Sequence, residues 1–128
     1  MNLRSPLSRV LGKGSARDGT SHWWGQRLSA VGLIILGLWF ALSLLRLDSF
    51  SYQDVAGWIE QPLNSVLLIL LCLTLAYHSN LGMRIIVEDY VHGASMKVVS
   101  LILNSFAHIF VLVAALFAIM KIALGAPL

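Results

Sequence analysis

Three long stretches without a charged side chain constrain this sequence more than any other feature. No Asp, Glu, Lys or Arg occurs between Arg27 and Arg46, between Glu60 and Arg84, or between Lys97 and Lys121. A helix rising 1.5 Å per residue needs about 20 residues to cross a hydrocarbon core of about 30 Å. In lipid, a helix satisfies every backbone donor and acceptor within one segment. The expected fold is therefore all-α, with three transmembrane helices over about 24–45, 62–88 and 97–124. They form a single membrane domain, 21–128, after an N-terminal arm, 1–20. Composition agrees: at 58% hydrophobic and 12% charged residues, the chain is too apolar for a soluble domain of 128 residues.

The sign and position of the charges set the expected topology. Arg4, Arg9, Lys13, Arg17 and Arg27 precede or open the first span, and Arg84 and Lys97 flank the second short loop, whereas Arg46 and Lys121 mark the opposite side. The positive-inside rule places the N-terminus in the cytoplasm and the C-terminus outside. The formal charge of +3 is thus a topological signal, and nucleic acid is not an expected partner. The arm lacks the apolar core of a cleavable signal peptide and is read as a retained cytoplasmic segment, ordered only by a partner. The lone Cys72 can form neither a disulfide nor a cysteine metal cluster within the chain.

Polar residues inside the apolar runs are where function is sought. In the first span, Gly25, Ser29 and Gly32 fall at i, i+4 and i+7, a small-residue stripe that should pack against protein. Trp23 and Trp24 suit a headgroup belt. Beside them, either Arg27 snorkels to lipid phosphates and His22 is a surface histidine, or the two bind the anionic groups of a cofactor held between helices. The loop 47–61 carries Asp48, Asp54 and Glu60 and should lie along the interface, with a helical turn from Tyr52 to Ile59. In the third span, Ser100, Asn104 and His108 recur every four residues as a polar seam that must face the interior or another subunit.

The segment HSNLGMRIIVEDY, 78–90, carries polar chemistry from lipid depth to the surface. His78 and Asp89 lie within about 20° of one helical face, and Tyr90 stands about 18 Å from His78 along the axis. A histidine in a span is either a hydrogen-bonded packing residue or a functional one. Neutral imidazole is a good axial ligand for haem iron, and Gly82, one turn on, leaves room for a ring edge. His108 is an internal alternative for a second ligand. A phenol beside a carboxylate at the surface could donate a hydrogen bond to a quinone and pass it protons.

The string HSNLGMRIIVEDYV resembles the signature of the hydrophobic membrane anchor of succinate dehydrogenase, the small cytochrome b556 anchor family. His78, Gly82, Met83, Asp89 and Tyr90 match its pattern, and SHWWGQRLSA resembles the family's entry to its first helix. The resemblance implies that His78 is an axial ligand of haem b, with the second ligand from a companion cytochrome b anchor in the same complex. It implies that Tyr90 hydrogen-bonds ubiquinone, with Asp89 helping to supply protons, and that Arg27 lies near the haem propionates. His22 is read as a second propionate contact, although its spacing to Arg27 is not fixed in the family. Iron–sulfur and flavoprotein subunits would carry the remaining chemistry, so this chain alone would have no activity. The implied setting is a bacterial inner membrane. A fumarate reductase anchor and a non-redox three-span assembly or transporter subunit are the alternatives.

Overall fold

The computed structural model describes residues 16–125, with side chains from Thr20 onward. It contains helices α1 (Ala16–Leu44), α2 (Tyr52–Glu60), α3 (Pro62–Tyr90) and α4 (Ala94–Ala123). Three of them are long and apolar enough to cross a membrane: Thr20–Leu44, Pro62–Tyr90 and Ala94–Ala123. The all-α, three-span expectation holds. Most of the expected arm, residues 1–15 with Arg4, Arg9 and Lys13, lies outside the described residues, as do Ala126 and Pro127.

Helix ends depart from the expected bounds because hydropathy marks where lipid ends, whereas backbone hydrogen bonds mark where a helix ends. Residues 16–20, expected in the arm, belong to α1. The loop left between the expected spans, 89–96, shrinks to Val91, His92 and Gly93. Gly93 is the N-cap of α4, and its carbonyl accepts from the Lys97 amide at 2.8 Å. Across that turn, Lys97 Nζ donates to the Glu88 carbonyl at 2.7 Å, satisfying an orphan acceptor at the end of α3. Arg84 pairs with Glu88 at 3.0 Å, one turn apart on the exposed face.

The short α2 is the helical turn expected from Tyr52, extended by one residue to Glu60. Ser51 caps it, accepting from the Asp54 amide. Hydrogen bonds from Ser49 and Ser51 hold the Asp54 carboxyl below the usual carboxylate range. Two carbonyls near the far end of α2 are satisfied by the start of α3: Asn64 Nδ2 donates to Trp58 O at 2.8 Å and Ser65 Oγ to Ile59 O at 2.9 Å. Trp58 stacks on Trp39 of α1, with centroids 5.8 Å apart and planes at 23°. Together these contacts fix α2 against the ends of two spans.

The three spans do not close into a bundle. α3 lies between α1 and α4 and packs on both, while among the described residues no Cα of α1 comes within 8 Å of one in α4. Buried apolar side chains are correspondingly few: Leu68, Leu81, Val87 and Ile119. Large residues such as Leu28, Ile34, Phe106, Phe110 and Phe117 stand exposed on the chain itself, as lipid- or subunit-facing residues must.

The α1–α3 contact runs along the small-residue stripe. A Cβ on Gly32 would sit 3.2 Å from Thr74 Cγ2, and one on Gly25 would meet the Tyr77 hydroxyl and, at 3.3 Å, Leu81. Gly32→Leu is expected to wedge the helices apart at a cost of about 1–3 kcal/mol, the range for overpacking a tight contact. Thermal unfolding of the detergent-extracted protein checks this; an unchanged midpoint would mean that the helices do not meet at Gly32.

Candidate functional site

The α1–α3 seam gathers the polar residues of both helices around His78, which is half-buried. His78 Nδ1 lies 3.0 Å from Ser29 Oγ, and its Nε2 lies 3.2 Å from Gln26 Nε2. Ser29, only 7% exposed, also places its Oγ 2.7 Å from the Gly25 carbonyl and 3.1 Å from the Gln26 carbonyl. Carbonyls only accept, so the single hydroxyl proton points back along α1 and the oxygen accepts from Nδ1–H of His78. Nε2 then carries the lone pair of the ring and accepts from the Gln26 amide. The other end of that amide, Oε1, is buried without a partner. Gly82 stands next to it: a Cβ there would lie 3.7 Å from Gln26 Nε2.

On one side of this seam, His22, Trp23, Gln26, Arg27, Ala30, His78 and Ile85 line a pocket of about 600 Å³. The Arg27 guanidinium lies 5.2 Å over the Trp23 ring and has no carboxylate partner among the described residues. Three of the five residues singled out in the sequence, His22, Arg27 and His78, are thus brought together from two helices far apart in the chain. The other two, Asp89 and Tyr90, end α3 outside this pocket. Tyr90 is 77% exposed, and Asp89 is exposed beside it.

These residues fit a haem. A metal-binding histidine ordinarily donates its other N–H to a fixed acceptor, which is how Ser29 meets Nδ1. The Arg27 guanidinium flanks the pocket where a carboxylate could be met, and the pocket walls include indole and aliphatic carbon. The unpaired Gln26 oxygen marks a side chain with little to lose by turning away from Nε2. Among the described residues, no group of three or more His, Cys, Asp or Glu could hold a bare metal ion.

His108 faces elsewhere. Its Nδ1 donates to the Asn104 carbonyl at 2.8 Å and its Nε2 accepts from Ser79 Oγ at 3.0 Å, while Asn104 Nδ2 reaches the Asn80 carbonyl at 3.3 Å. The polar seam of α4 therefore closes on α3, and both nitrogens of His108 are engaged. His108 thus lies on the α3–α4 seam, away from the pocket that His22, Arg27 and His78 line, although its nitrogens are no more engaged than those of His78.

Sequence reasoning misses Gln26 and the role of Ser29. The signal is present: His22, Gln26 and Ser29 fall at i, i+4 and i+7, a polar stripe that meets the small-residue one at Ser29. In the sequence, Ser29 stands out only for its size.

Comparison with known proteins bears on the whole chain. The family model for the succinate dehydrogenase/fumarate reductase transmembrane subunit matches residues 1–122. The succinate dehydrogenase hydrophobic membrane anchor subunit of Paracoccus denitrificans is 30% identical, covering 98% of this chain and 97% of its own length. The corresponding protein of Rickettsia bellii is 29% identical over 70% of this chain and 72% of its own. The succinate dehydrogenase membrane anchor subunit of Reclinomonas americana is 34% identical over 68% and 75%. No solved structure matches. With the three apolar helices and nearly the full length aligned, the chain belongs to the succinate dehydrogenase/fumarate reductase family of hydrophobic membrane-anchor subunits.

Proposed function

We propose that this chain is the smaller hydrophobic anchor of a succinate:ubiquinone oxidoreductase. It would hold haem b jointly with a companion cytochrome b anchor and contribute to the ubiquinone-reduction site. The observation that carries this reading is the convergence of His78, Arg27 and His22 on one open pocket between α1 and α3. The relatives named above are succinate dehydrogenase anchors, which favours the succinate-oxidising direction over a fumarate reductase.

When bound, haem b supplies a one-electron carrier within the membrane. His78 would hold it, Arg27 and His22 would meet its carboxylates, and Trp23, Ala30 and Ile85 would shield it from water. The pocket is walled by α1 and α3 alone, so a second ligand and the opposite wall come from the companion anchor. Tyr90 donates a hydrogen bond to a ubiquinone carbonyl oxygen, and Asp89 relays protons from the cytoplasm. Both stand exposed at the end of α3, as residues completing a pocket shared with the companion anchor and the iron–sulfur protein would be. Electrons from succinate arrive through the flavoprotein and iron–sulfur subunits, so turnover belongs to the assembly.

The distribution of basic residues supports a cytoplasmic N-terminus, and the Paracoccus and Rickettsia relatives support a bacterial inner membrane. The direct test is the optical spectrum of the detergent-extracted complex, with its subunits separated on a gel. A Soret band and b-type absorption, together with soluble subunits and succinate-driven ubiquinone reduction, are the expected result. A preparation with neither haem absorption nor soluble partners would leave a non-redox three-span protein. Faster fumarate reduction with a low-potential quinol would make it a fumarate reductase anchor.

A further inference from the structure

We infer that Ser29 is the positioning residue of His78, fixing the imidazole with its proton on Nδ1 and leaving Nε2 free to bind, while Gln26 caps Nε2 until it is needed. The inference rests on the proposed haem site and deepens it.

The geometry of the seam supports each part. Ser29 Oγ touches two helix carbonyls, at 2.7 and 3.1 Å, so its proton is committed to α1 and its lone pairs to His78 Nδ1 at 3.0 Å. Its burial at 7% exposure keeps water from competing for Nδ1–H. The Gln26 amide meets Nε2 at 3.2 Å, but its oxygen is buried and unpaired, so the cap is held at a cost.

The consequence is electronic as well as geometric. An acceptor on Nδ1–H raises the electron density at Nε2 and makes the ring a more basic ligand. A more basic ligand favours the more highly charged ferric state, so Ser29 lowers the midpoint potential of the bound iron. Partners of this kind commonly change affinity by about 10–100-fold. A tenfold shift in ferric over ferrous binding corresponds to about 59 mV for one electron. The role of Gln26 is the reverse: it competes with iron for one lone pair and should be dispensable once iron is bound.

The experiment uses the complete complex extracted from membranes, carrying Ser29→Ala, Ser29→Cys, Ser29→Thr, Gln26→Ala or His78→Ala. Haem content per complex and midpoint potential by redox titration are read beside the set of subunits retained. Ser29→Ala is expected to raise the potential by tens of mV, by up to about 59 mV for a tenfold change. The weaker acceptor in Ser29→Cys should fall between, and Ser29→Thr should restore the original value. Gln26→Ala should keep full haem content. A Ser29→Ala potential equal to the unsubstituted one, or a Ser29→Thr potential equal to that of Ser29→Ala, overturns the inference. So does failure of both the alanine and cysteine variants to assemble, which would make Ser29 a packing requirement, and so does loss of haem in Gln26→Ala. An unaltered spectrum in His78→Ala would instead remove the haem site itself, a distinguishable failure.

Discussion

His78→Ala is expected to remove low-spin b-type haem absorption from the complex while the three spans remain in the membrane. The ring lies in the α1–α3 seam between Ser29 and Gln26, and its Nε2 bears the lone pair that iron would take. Without it, binding would rest on the companion anchor's ligand alone. The substitution also leaves Ser29 Oγ and the Gln26 amide without their partner, a cost of about 1–3 kcal/mol for each buried group left unpaired. The subunits retained must therefore be measured with the spectrum, so that lost haem is not confused with lost assembly. His108→Leu is the matched control. It also deletes an intramembrane imidazole, but one on the α3–α4 seam, bonded to Asn104 and Ser79 and away from Arg27 and His22, and the absorption should persist. An unchanged reduced-minus-oxidised spectrum in His78→Ala would take that residue off the ligand list, and a spectrum lost only in His108→Leu would exchange their roles.

Tyr90→Phe is expected to depress succinate–ubiquinone reductase activity by about 10²-fold or more, the usual scale for removing a positioned proton donor. Haem content should be unaffected. The phenol is the last residue of α3, about 12 positions beyond His78, or about 18 Å of helix, so the two sites share a rod but no contact. At 77% exposure the ring contributes little packing to this chain, and phenylalanine retains its shape. The loss should therefore appear with ubiquinone as acceptor and not with an artificial acceptor reduced directly by the soluble subunits. Equal turnover with ubiquinone in the variant and the parent would count against a donor role for Tyr90. The separation of the two phenotypes, spectrum for His78 and turnover for Tyr90, is itself a check that one helix carries two sites.

Much of the fold is legible in the sequence. The uncharged runs bounded by Arg27, Arg46, Arg84, Lys97 and Lys121 force three helices, because unpaired backbone groups cannot be left in lipid. The stripe of Gly25, Ser29 and Gly32 announces a close helix contact, and the structure supplies it against Tyr77, Leu81 and Thr74. Helix ends are harder to read. Residues 16–20 and 94–96 are helical although they lie outside the apolar runs, since a helix continues into the headgroups as long as its backbone bonds are met.

What the sequence determined by itself is the one-dimensional information: number of spans, their small and polar stripes, the charge asymmetry, and the pattern from His78 to Tyr90. Each follows from the free energy of placing particular groups in lipid or at its surface, which depends on residue type and spacing and not on neighbours. Only the tertiary structure decided which polar residues meet. It turned His78 toward Ser29 and Gln26, turned His108 toward Ser79, and set Arg27 and His22 beside the first of these and not the second. It also left α1 and α4 apart on either side of α3, so the His78 pocket is open on one side. Those outcomes depend on the rotation of one helix against another, which is fixed by pairwise packing across the seam and has no counterpart in the periodicity of either helix alone.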